Sequence, residues 1–159
     1  MDLEQLSEHV GQRLLAKRLM LVTAESCTGG WIAQCITDIA GSSQWFDRGF
    51  VTYSNQAKQD MLGVSAETLA TYGAVSEQTV VEMVQGALNN SQAEIAVAVS
   101  GIAGPTGGTS DKPVGLVWHA WAARNSQPVT QREQYLGDRK QVRQQTVESA
   151  LNGILRVLG

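Results

Sequence analysis

The stretch LMLVTAESCTGGW at residues 19–31 decides the reading of this chain. Residues 19–24 form a continuous, largely apolar run, which suits a strand buried on both faces. Glu25-Ser-Cys-Thr-Gly-Gly30 then breaks the run with small and polar residues. Trp31, Ile32, Cys35, Ile36 and Ile39 follow at helical spacing. A strand, a tight polar turn and a helix are the opening of an α/β unit, and in such folds ligands bind at the carboxyl ends of the strands.

Working outward, Leu3, Leu6, Val10, Leu14 and Leu15 mark an amphipathic opening helix. Residues 50–53 read as a second strand. Helices are expected at 55–62 and 66–72, with a longer one capped by Ser76 and running to about Asn89. Residues 95–100 form a third buried strand, emptying into the glycine-rich stretch 100–108. Residues 114–123 and 129–135, joined by a turn at Asn125-Ser-Gln-Pro128, read as a hairpin. Asp138 caps a last helix whose inner face carries Val142, Thr146, Leu151, Ile154 and Leu155. This alternation predicts a three-layer α/β/α sandwich with a mixed, mostly parallel sheet, forming one domain over residues 1–159.

Composition narrows the function classes. Of the 159 residues, 43% are hydrophobic and 17% charged, as in an ordinary globular chain. A net charge of −3 argues against nucleic acid, because neutralising phosphates needs a concentrated basic face. The N-terminus shows no secretory h-region, and no apolar run approaches the roughly 20 residues of a membrane span. Cys27 and Cys35 do not make a disulfide framework, and His9 and His119 lie far apart, so no metal site is expected. A cytoplasmic, metal-independent protein without a cofactor is the expectation. Trp45, Phe46 and Trp121 read as exposed aromatics that would permit a homo-oligomer.

Four constellations could carry chemistry. Ser26 lies where main-chain N–H groups near Thr28, Gly29 and Gly30 are free to hold an oxyanion; the plain alternative is that Ser26 or Thr28 caps the helix. Cys27 is a rival nucleophile, but a buried structural thiol is the simpler role without a histidine base. Tyr53 and Lys58 point toward the same end of the sheet as Ser26. A lysine is a base only when neutral, so its pKa must fall from roughly 10.4 by burial or a nearby cation. Tyr53 could hydrogen-bond Ser26 or Lys58 and shuttle the proton; an exposed lysine beside a half-buried tyrosine is the duller alternative. The loop containing Ser100, Gly101, Ala103, Gly104, Thr106, Gly107 and Gly108 could form an anion nest, although it matches neither the P-loop nor the dinucleotide fingerprint. Arg139 or Arg143 could clamp a phosphate, or be solvated helix charges.

Together these segments resemble the nicotinamide-nucleotide amidase family, also called PncC, and the C-terminal domain of CinA proteins. The resemblance rests on TAESCTGGW (23–31), ITDIAGSSQWFDRGFVTYSNQAK (36–58), GAVSE (73–77), VSGIAGPTGG (99–108), KPVG (112–115) and GDR (137–139). It implies a stand-alone form that hydrolyses nicotinamide mononucleotide to nicotinic acid mononucleotide and ammonia, in pyridine-nucleotide recycling and without a metal. It further implies Ser26 as nucleophile, Lys58 as general base and Tyr53 as helper. A non-catalytic nucleotide-binding domain and an amidohydrolase for another small amide are the competing expectations.

Overall fold

The computed structural model describes residues 1–159. The elements run α1 (Leu3–Ala16), β1 (Leu21–Glu25), α2 (Trp31–Thr37), a short 3-10 turn at Ser42–Gln44, β2 (Phe46–Val51), α3 (Asn55–Leu62), α4 (Ala66–Tyr72), α5 (Glu77–Asn89), β3 (Ile95–Gly101), β4 (Leu116–Ala123), β5 (Val129–Gln134) and α6 (Arg139–Leu158). Strand β2 begins four residues earlier than the apolar run predicts. Its Asp47 and Arg48 hide it, since an edge strand need not be apolar on its outer side.

The five strands form one sheet in the order β2-β1-β3-β4-β5. Strand β1 pairs in parallel with β2 and β3, whereas β3–β4 and β4–β5 are antiparallel. The sheet is therefore evenly mixed rather than mostly parallel, because the short turn at residues 124–128 can join only antiparallel neighbours.

Alternation along β1 divides the core. Leu21 belongs to a cluster with α1, α2 and α6, where Val97, Val99 and Trp121 also pack. Val22 and Ala24 point the other way, into a cluster with α3, α4 and α5. On that second face Ala96, Ala98, Ala120 and Ala122 present small side chains, so α5 lies close to the sheet. Helices thus cover both faces, as the three-layer reading expects.

Three of the aromatics expected at the surface are not there. Trp45 and Trp121 are only 3% and 1% exposed, and Phe46 is half-buried against the α1–α2–α6 cluster. The glycines opposite explain the tryptophans: a Cβ on Gly11 would meet the Trp45 ring at 2.5 Å, and one on Gly153 would meet the Trp121 ring at 2.0 Å. The surface argument for self-association therefore falls away.

The parallel register sets up the functional end. Glu25 pairs with Val51 on one side and Val99 on the other. Ser26 and Thr52–Tyr53 leave the sheet directly after these strands, beside Ser100, which still lies in β3.

The Gly153–Trp121 contact is testable. Gly153→Ala overpacks the α6–β4 seam and should lower unfolding stability by about 2 kcal/mol. A chemical denaturation midpoint that falls with an unchanged slope is the expected reading.

Candidate active site

The turn after β1 is held by a buried carboxylate. Glu25 is fully buried, and its oxygens accept hydrogen bonds from the Thr28 hydroxyl (2.5 Å), Ile32 N–H (2.9 Å) and Ala33 N–H (3.0 Å). It satisfies donors of the first turn of α2 that would otherwise be orphaned. Neither Ser26 nor Thr28 caps that helix, because the N-cap position is Gly30 and carries no side chain to do so. Sequence reasoning passed over Glu25. An acid directly after a buried strand and seven residues before a helix N–H was the available signal.

Arg143 reaches the same turn from α6. Its guanidinium donates to the carbonyls of Cys27 and Thr28, both at 3.0 Å, and lies over the Trp31 ring. These bonds commit it to the turn, so the expectation that it clamps a phosphate is corrected. Gly29 and Gly30 are also reassigned. They adopt φ of +62° and +104°, the left-handed region that glycine enters without strain. Gly29 N–H is used by the Ser26 carbonyl, and neither glycine nor Thr28 lines the cavity. The N–H of Cys27, next to the serine, makes no main-chain hydrogen bond.

Lys58 enters from α3. Ser54 caps that helix by accepting from Ala57 N–H at 3.0 Å. Side chains on a helix lean toward its N-terminus, so the Lys58 amine returns toward the residues preceding the helix. Its Nζ lies 2.9 Å from Ser26 Oγ, 2.9 Å from the Thr52 carbonyl and 3.2 Å from the Tyr53 carbonyl. Lys58 is 1% exposed, and the ion pair of the chain is Asp47–Arg48, elsewhere. No carboxylate offsets the burial, and desolvation pulls the amine down to about 8. At neutral pH about a tenth of such amines are uncharged, against a few in ten thousand for an ordinary lysine.

Tyr53 meets this pair differently from the expectation. Its carbonyl accepts from Lys58 and, at 3.5 Å, from Ser26, while its exposed phenol meets Arg139 at 3.3 Å. The hydroxyl is hydrogen-bonded to neither Ser26 nor Lys58, because the Tyr53 side chain turns outward where the chain leaves β2. Cys27 is buried, and desolvation pushes its thiol up to about 12, which leaves it protonated and unreactive.

Ser26, Lys58, Tyr53, Ser100 and Arg139 share one cavity of about 340 Å³ with Ala74, Val75 and the glycine loop through Gly107. Gly108 lies just beyond it. A larger groove of about 500 Å³ along α6 carries no cation and no serine. In the glycine loop, the N–H groups of Ala103, Gly104, Thr106, Gly107 and Gly108 make no main-chain hydrogen bond. Arg139 donates to the Gly104 carbonyl at 2.9 Å from the start of α6. The cavity therefore combines a serine hydroxyl beside a buried amine, a guanidinium, main-chain N–H groups without main-chain partners and no carboxylate. Such a lining suits an anionic ligand.

The CinA C-terminal domain family model matches residues 3–158. The chain is 59% identical over 150 residues to the nicotinamide-nucleotide amidohydrolase PncC of Escherichia coli strain K12, covering 94% of this chain and 91% of that one. The Pseudomonas putida protein of the same name is 49% identical over 152 residues, covering 96% and 94%. The crystal structure of the competence/damage inducible protein CihA from Agrobacterium tumefaciens superposes with a TM-score of 0.95 at 52% identity, covering 99% of this chain and 96% of that chain.

The buried amine has a stability signature. Its folded-state pKa of about 8 lies below the ordinary 10.5. Between those values the unfolded chain holds more protons, so raising the pH stabilises the fold. The full cost, roughly 3 kcal/mol, applies below pH 8. Relative to Lys58→Met, the wild-type chain should gain about that much unfolding free energy between about pH 7 and pH 11. A pH-independent difference between the two would contradict the burial argument.

Proposed function

The chain belongs to the CinA C-terminal domain family, and from that premise we propose that it hydrolyses nicotinamide mononucleotide to nicotinic acid mononucleotide and ammonia through a Ser26–Lys58 pair. Its role as a nicotinamide-nucleotide amidohydrolase is supported by relatives of that name at 49–59% identity over nearly the whole chain. Pyridine-nucleotide recycling is the setting that this reaction serves. The observation that carries the mechanism is the 2.9 Å contact between Ser26 Oγ and a buried lysine without an acidic partner.

The hydrogen-bond geometry favours the neutral amine as base. An uncharged Nζ has two N–H bonds and one lone pair. The Thr52 and Tyr53 carbonyls accept the two N–H bonds, which leaves the lone pair facing Ser26. Lys58 takes the Ser26 proton as Oγ attacks the carboxamide carbon. The Cys27 N–H, on the residue after the nucleophile, stabilises the oxyanion. As the C–N bond breaks, the Lys58 ammonium returns a proton to the leaving nitrogen, and ammonia departs. Lys58 next deprotonates a water that attacks the acyl carbon, and the proton passes back to Ser26 Oγ as the ester bond breaks. Atoms and charge balance without a metal.

Substrate binding follows from the rest of the cavity. Arg139 and the unpaired N–H groups of residues 103–107 bind the 5′-phosphate, and Ala74, Val75 and Ile102 give the pyridine ring apolar contact. The phenol of Tyr53 steadies Arg139 at the rim.

Ammonia release from nicotinamide mononucleotide tests the reading, with other small amides as controls. Ser26→Ala and Lys58→Arg should each lower kcat by roughly 10³-fold or more, since a guanidinium cannot act as a base. For the wild type, kcat/KM should rise about tenfold per pH unit up to about pH 8 and then level. Wild-type rates in Ser26→Ala would overturn the pair.

A further inference from the structure

Of the motifs quoted from the sequence, KPVG has no part in the mechanism above and GAVSE enters it only through Ala74 and Val75, yet the fold brings the two together. Lys112 is half-buried, and its Nζ donates to the carbonyl of Tyr72, the last residue of α4. Gly73 follows at φ +80°, and a Cβ there would lie 2.9 Å from the Lys112 Nζ. The lysine head thus occupies the space that a side chain at residue 73 would take.

The segment on the receiving side is rigid. The Gly73 carbonyl accepts from the Ser76 hydroxyl at 2.9 Å and the Thr79 hydroxyl at 2.7 Å. Ser76 also caps α5. The two residues between, Ala74 and Val75, form one wall of the cavity.

The segment on the donating side has few main-chain hydrogen bonds of its own. Residues 102–115 are closed at the base by Gly115 N–H to the Ile102 carbonyl (2.7 Å) and at the tip by Thr109 N–H to the Lys112 carbonyl (2.8 Å). Between these bonds lie the five N–H groups at residues 103–108 that make no main-chain hydrogen bond. A cradle of unpaired donors binds an anion well only when its shape is set beforehand, because ordering it on binding costs affinity. Arg139 holds the loop at Gly104, and Lys112 ties its far end to the α4–α5 turn.

We propose that Lys112 is a positioning residue, a tether that holds the glycine loop against the Gly73–Ala74–Val75 wall and so presets the anion-binding side of the cavity. The proposal rests on the amidohydrolase reading for its ligand, but not for its geometry. Lys112 touches neither Ser26 nor Lys58, so its loss weakens substrate binding and leaves the chemical step alone.

Steady-state kinetics with nicotinamide mononucleotide, melting curves and limited thermolysin digestion of wild type, Lys112→Met and Lys112→Arg test it. Lys112→Met should raise KM by roughly five- to twentyfold, with kcat within about twofold and the kinetic pH profile unchanged. Its melting temperature should stay within about 2 °C, while cleavage between residues 102 and 114 becomes faster. Lys112→Arg, which can still donate to the Tyr72 carbonyl, should recover most of the KM. An unchanged KM and cleavage rate in Lys112→Met would overturn the tether, as would a fall in kcat that tracks a lower melting temperature. A wild-type chain that released no ammonia would instead sink the amidohydrolase reading, and the digestion would still decide the tether.

Discussion

A single amine buried without a countercharge is the constraint around which this molecule is arranged. Water would solvate the Lys58 ammonium far better than two carbonyls and a hydroxyl do, so the protein shifts the balance toward the neutral form. An acid in contact with Nζ would offset the burial and hold the amine charged. The side chains that line the cavity respect that requirement, since they include the bases Lys58 and Arg139 and no Asp or Glu. Part of the stability of the fold is given up at neutral pH to keep that amine buried.

The nearby acid, Glu25, precedes Ser26 in the chain and faces away from the lysine. Its carboxylate is saturated by the Thr28 hydroxyl and two α2 amides. Together with Arg143, which grips the carbonyls of Cys27 and Thr28, it over-determines the turn from both its donor and its acceptor sides. The serine therefore leaves a rigid support rather than a mobile loop. In the proposed mechanism, such support keeps the Ser26 oxygen within the narrow tolerance that catalysis needs.

The sheet supplies the convergence. Because β2, β1 and β3 run parallel in register, their carboxyl ends deliver Tyr53, Ser26 and Ser100 to one edge. The antiparallel β4 returns from the far end of the glycine loop beside them. The loop thus closes over the edge where Ser26 stands, instead of wandering from it.

Hydrophobic periodicity alone set the order of the elements, because burial on one or two faces leaves a mark at every residue. The run at residues 19–24 and the spacing of Val142, Thr146, Leu151 and Ile154 announced a double-faced strand and the last helix, and both stand where expected. Ser26 and Lys58 were legible as candidates from their places at strand and helix ends. Local sequence does not encode what faces a residue across space. It was silent on Trp45 and Trp121 filling the room left by Gly11 and Gly153, on Arg143 serving the Ser26–Thr28 turn and Arg139 the cavity, and on the Tyr53 carbonyl, rather than its phenol, meeting the lysine. Those assignments depend on which surfaces meet once the helices pack against the sheet, and only the tertiary structure decides that.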